Sequence, residues 1–178
     1  MKKSRRMEAF NQLLKEAKSK DFDTSEFALL QIALVLEQSN LVDHKNTPDI
    51  YADNLSRELL NLQLNADDQE NVVGEIARLI AANSKNRPTL YWALGKAKPE
   101  IALPALLGLL KAQGKNLNEE TAYQAAISLH ALTKGDLSAE VQAKIALNDP
   151  TDLLEKWADA NDDRLADLAD DILDNLDS

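Results

Sequence analysis

A chain of 178 residues, 44% apolar and 28% charged, is long enough to bury one core and ordinary in composition for a globular protein. It has no cysteine, which excludes disulfides, thiolate nucleophiles, Cys–zinc sites and iron–sulfur clusters. Its net charge of −10 disfavours general nucleic-acid binding, and no run of apolar residues reaches membrane-spanning length.

With only five glycines and five prolines there is little turn chemistry for a many-stranded sheet, and the apolar residues recur at three and four rather than two. The expected fold class is all-α: one domain over 1–178, built as an array of about ten short helices. Residues 1–20 carry seven Lys/Arg against two Glu. No apolar stretch follows this basic start, so no signal peptide is expected and the expected location is cytoplasmic. Met7, Phe10, Leu13, Leu14 and Ala17 predict a first amphipathic helix, with the basic N-terminus read as a disordered, solvated arm. Asp23 to Glu26 has capping-box spacing ahead of the run "FALLQIALVLEQ". After the loop "SNLVDHKNTPD", Thr47 and Pro48 read as N-cap and first helical residue of a helix continuing through "IYADNLSRELLNLQL".

Val72, Val73, Ile76, Leu79 and Ile80 give the apolar side of the next helix, and Pro88 starts another through "TLYWALGKA". Asn118, Ser138 and the pair Asp149-Pro150 are start signals for three more. A last helix over roughly 162–176 sets Leu165, Leu168, Ala169, Ile172 and Leu176 on one side and a series of Asp on the other. Residues 136–178 hold thirteen Asp/Glu against three Lys/Arg, so 162–178 reads as an acidic helix closing the array.

Ala93-Leu94 and Lys96 align with Ala131-Leu132 and Lys134 at an offset of 38, and residues 99–101 with 139–141 at 40. The stretch "ALGKAKPEIALPALLGLLKAQ", residues 93–113, followed by "NEETAYQAAISLHAL", resembles the HEAT-like repeats of the phycobilisome-lyase type. The likeness spans roughly 88–134 and lies in an Ala-Leu-Gly helix end, a Pro-Glu turn, a Pro-Ala-Leu-Leu-x-Leu-Leu helix and a partner helix with paired alanines. The family's Asp after the Leu-Leu pair is replaced by Lys111 and Ala112, and no Arg opens the partner helix. What the resemblance implies is a helical-hairpin array and, as one function, a lyase or chaperone for a tetrapyrrole chromophore. A helix beginning near Glu100 or Ile101 would put Pro104 near its four partnerless N–H groups, with Pro99 and Gly95 breaking the chain between helices. Gly108, mid-helix, is expected where a neighbouring helix packs closely.

Chemistry-bearing residues are sparse. His44 reads as a loop histidine and His130 as a helical one, neither with partners at metal-ligand spacing. The pairs Asp67-Asp68, Glu119-Glu120 and Asp162-Asp163 sit at helix starts, where capping and the helix dipole account for them. No phosphate-loop, nucleophile-elbow, zinc-protease or calcium-loop motif is present, so no catalytic residue, metal or cofactor is expected. Trp92 on one helix and Tyr123, Ile127 and His130 on another lie outside the Ala/Leu core stripe. Together they form the candidate partner-binding surface, the alternative being that a small array buries them in its own core. The function these readings favour is a non-enzymatic interaction module presenting a concave, mostly acidic face to a protein partner, a basic one by charge. An adaptor, a scaffold and an inhibitor or immunity-type protein all fit that description.

Overall fold

Local capping chemistry accounts for most of the helix starts. The computed structural model describes residues 2–41, 49–82 and 86–178, and all regular structure among them is helical. The helices are α1 (Lys2–Ala17), α2 (Phe22–Ser39), α3 (Asp49–Asn54), α4 (Ala66–Ala82) and α5 (Pro88–Leu94). They continue with α6 (Pro99–Gln113), α7 (Glu119–Thr133), α8 (Ala139–Leu147), α9 (Thr151–Ala158) and α10 (Asp163–Asp177). Asn118 Oδ1 accepts from Thr121 N–H at 2.8 Å, Ser138 Oγ from Val141 N–H at 3.3 Å, and Asp162 Oδ1 from Arg164 N–H at 3.0 Å. Each satisfies an amide that its helix leaves without a partner. Pro88 and Pro99 occupy the first turns of α5 and α6, where the missing N–H costs nothing.

Several expectations are corrected. The N-cap of α2 is Asp21, whose carboxylate accepts from Thr24 N–H, so Asp23 lies inside the first turn. The basic N-terminal residues are not a disordered arm: α1 begins at Lys2, and its later turns bury Phe10, Leu13 and Ala17. The helix expected to run through residue 64 stops at Asn54. His44, Thr47 and Pro48 lie outside the described residues. In the next pair of helices, α6 starts at Pro99 itself, which places Pro104 at its sixth position, past the free N–H zone. The carbonyl that loses its partner belongs to Glu100, an exposed residue in the first turn, where water can replace the bond. Gly108 is exposed and has open space around it. The close approach is at Gly95 instead, where an added Cβ would lie 2.3 Å from Ser128 Oγ and 2.9 Å from Ser128 Cα.

Residues 55–64 are irregular because buried side chains of α2 compete for their backbone. Gln38 Nε2 donates to the carbonyls of Leu59 (2.7 Å) and Leu62 (3.1 Å), and Ser39 Oγ accepts from Leu64 N–H at 3.0 Å. Asn61 takes a left-handed φ of 63° in this turn, a conformation asparagine tolerates better than most residues. Asn40 and Gln69 extend the same polar cluster to α6. Asn40 Nδ2 donates to Lys96 O at 3.0 Å, and Gln69 Oε1 accepts from Lys98 N–H at 2.9 Å.

The helices pack as an ordered succession. α2 packs on α5, α5 on α7 and α7 on α10. Contacts at both ends show that these four run parallel. Glu26 of α2 meets Arg87 and Thr89 at the start of α5, while Glu37 meets Lys96 just past its end. Asn86 accepts from the Asn118 N–H where α5 and α7 begin, and Ser128 Oγ donates to Tyr91 O at 2.6 Å further along. Arg164 lies over Tyr123 near the starts of α7 and α10, and their last turns line one groove. On the other side α4 packs on α5 and α6, and α6 on α7 and α8. α1 flanks α2, and Lys18 just past its end is 2.7 Å from Glu75 of α4. The buried side chains form one continuous core from Phe10 to Ile172, densest on α2, where Leu29, Ile32, Val35 and Leu36 are fully buried. Each such side chain contributes about 1.5–3 kcal/mol.

Candidate interaction face on the parallel helices

The sequence-derived candidates all lie on this parallel row. Trp92 of α5 is half-buried and packs against the core, as does Tyr123 of α7, while Ile127 and His130 of α7 are half-buried. Tyr123, Ile127 and His130 share a face of α7 through their helical spacing. Trp92 and Ile127 are the chain neighbours of Tyr91 and Ser128, the residues bonded where α5 crosses α7.

The two aromatic rings are engaged on opposite flanks. Lys96 Nζ sits over the Trp92 ring, 5.4 Å from its centroid, and is 2.8 Å from Glu37 of α2. The Tyr51 hydroxyl donates to the same carboxylate at 2.5 Å. Burial pushes the Glu37 carboxyl up, but the hydrogen bonds from Lys96 and Tyr51 and the Lys96 charge outweigh it, leaving Glu37 below its ordinary range. Desolvation, then the adjacent carboxylate, raises the Tyr51 phenol, so it stays neutral. On the other flank Arg164 of α10 lies 4.5 Å from the Tyr123 centroid and is held by both oxygens of Asp162. That pairing lowers the Asp162 carboxyl. A third ring, Phe22 at 62% exposure, carries Arg87, which is paired in turn with Glu26.

Aromatic, cation and carboxylate thus recur between neighbouring helices of the row, and sequence reasoning missed the cations. Lys96 was legible, being four residues beyond Trp92 on the same turn spacing. Arg164 was not, because 41 positions separate it from Tyr123 and only the packing of α10 on α7 joins them. Beyond Arg164 the exposed side of α10 carries Asp163, Asp167, Asp170, Asp171 and Asp174.

The acid pairs are in helix first turns. Asp68 and Asn65 exchange side-chain-to-backbone bonds at 2.8 and 3.1 Å, a reciprocal cap for α4. Glu119 and Glu120 open α7. Among the described residues no group of three or more His, Asp or Glu side chains could hold a metal ion, and no helix is long and apolar enough to cross a membrane. No family model matches the chain, and no match was found among curated proteins.

Proposed function

We propose that the chain is a non-enzymatic, HEAT-like interaction module of the cytoplasm. It offers the α2–α5–α7–α10 side to a basic protein partner, as adaptor, scaffold or inhibitor. The observation that carries this reading is the parallel succession of four helices in which half-buried Trp92, Tyr123, Ile127 and His130 lead on to the Asp-rich side of α10. Half-buried aromatics beside uncompensated charge suit a binding surface: the rings supply contact area, and the carboxylates steer and orient a cationic partner.

The test begins with co-purification from the native host and mass spectrometry, then moves to reconstitution with the purified partner. The expected result is a basic protein whose affinity falls with salt and falls further for Tyr123→Ala and Trp92→Ala. If both variants bind it like wild type and only melt at lower temperature, these rings serve the core and the face is wrong. A coloured preparation, or an absorbance shift on adding a bilin, would instead place the chain with chromophore lyases.

A further inference from the structure

At the far end of the row, the last turns of α7 and α10 and the inner side of α8 enclose an open cavity of about 640 Å³. Its lining is mostly polar, with Thr133, Gln142, Thr151, Asn175 and Ser178 beside two groups of particular chemistry. Leu137, Ile145 and Leu176 are half-buried, pack on the core and form an apolar floor. Asp136, Asp149 and Asp177, all exposed, stand around it. Both bonds that Asp149 accepts from Thr151 go to Oδ1, at 3.0 Å from the amide and 2.6 Å from the hydroxyl, which leaves Oδ2 available. Two helix C-termini add their partial negative charge on the same side.

Two other grooves are lined by both signs of charge. The groove between α1 and α4 is lined by Glu70 and Glu75 together with Lys15, Lys18 and Arg78, and Glu75 is paired with the last two. The groove beside α9 is lined by Glu119 and Asp159 together with Lys115 and Lys156. Among the described residues no Lys or Arg lines the cavity at α8; Lys134 is not part of its wall, and Lys111 reaches only the Leu147 carbonyl beside it, at 3.5 Å. Apolar side chains on the floor with carboxylates around them suit an aliphatic stem that ends in a cation, of which lysine, with four carbons and a compact ammonium, is the more flexible.

We infer that this cavity is the docking site for a lysine-rich segment of the partner. The lysine stems lie on Leu137, Ile145 and Leu176, and the ammonium groups reach Asp136, Asp149 and Asp177. A cavity of this size holds a short peptide rather than one side chain. The inference rests on the reading of a basic protein partner and names where that partner anchors.

The experiment titrates a fluorescein-labelled tetralysine peptide into the full chain at near-physiological salt and reads anisotropy, with tetraglutamate as control. Asp136→Asn combined with Asp177→Asn leaves every cap intact, since neither side chain caps a helix. This pair is expected to weaken tetralysine binding by about tenfold or more. Asp167→Asn with Asp170→Asn removes the same charge from α10 outside the cavity and is expected to weaken it by less than about twofold. Equal losses from both pairs, or no tetralysine binding by the wild type, would overturn the site. The two proposals also separate. A purified partner that binds the Asp136/Asp177 variant normally but loses Tyr123→Ala sinks the cavity and leaves the face standing. Tetralysine held by the cavity, with a purified partner that binds Tyr123→Ala and Trp92→Ala normally but loses the Asp136/Asp177 variant, does the reverse.

Discussion

Two glycines show how little a residue's type says about its role. Gly95 and Gly108 both lie in the stretch that resembles a HEAT-like repeat, one at the end of α5 and one inside α6. A methyl group on Gly95 would meet the Cβ of Ser128 at 2.6 Å and its backbone Cα at 2.9 Å, and neither is the yielding tip of a flexible chain. Gly95→Ala is therefore expected to lower stability by about 2–3 kcal/mol, through forced separation of α5 from α7. At Gly108 nothing lies within 4 Å of an added Cβ and the backbone is already helical, so Gly108→Ala is expected to raise stability by about 1 kcal/mol. Urea denaturation of the two single variants checks both signs. Equal effects would mean that α5 and α7 do not cross at Gly95. Periodicity favoured the wrong glycine because close approach is a property of two helices, and a single helical pattern carries no record of its neighbour.

Helix starts were the most legible feature at the scale of elements. Asn118, Ser138, Pro88 and Asp162 announce α7, α8, α5 and α10 through chemistry contained within four residues. Residues 55–64 misled because Leu55, Leu59 and Leu62 are spaced as on a helix and are indeed buried. Their backbone is claimed by Gln38 and Ser39, more than twenty positions away, and a local pattern cannot register that competition. The candidate face was legible in the same partial way: its rings could be read from spacing, whereas the cations on them come from tertiary packing. The junction of α2, α3 and α5 around Glu37 carries a pH prediction. Its carboxyl lies below the ordinary 4.5 in the folded chain, so folding favours the ionised form. The stability this contributes is fully present above that ordinary value and is lost as pH falls through the lower folded value. Wild type is expected to lose more stability than Glu37→Gln on going from about pH 5 to about pH 3, because the variant has no proton to take up there. Parallel acid-denaturation curves for the two proteins would refute the role of Lys96 and Tyr51 in holding this charge.

Across the whole molecule the packing contacts are unevenly distributed among the helices. α2 touches α1, α3 and α5, and most of its length is buried. α8 packs on α6 and buries only Val141 fully, while Leu147 at its end is 75% exposed. A helix with so little buried opens without the rest of the chain. Native-state hydrogen exchange should therefore find the amides of α8 at least about tenfold less protected than those of α2 and α7, since one buried valine offsets only about 1.5–3 kcal/mol of ordering cost. The same helix supplies Ile145 to the floor of the cavity. A ligand held there binds only the closed arrangement, so it adds protection by mass action to the segment whose opening destroys its site. Saturating tetralysine should slow exchange in α8 and in the last turns of α7 and α10, and leave α1 to α4 unchanged. Protection that rises evenly along the chain would mean that the array opens as one unit. Protection that rises only along the central turns of α10 would put the peptide on its outer carboxylates and not in the cavity.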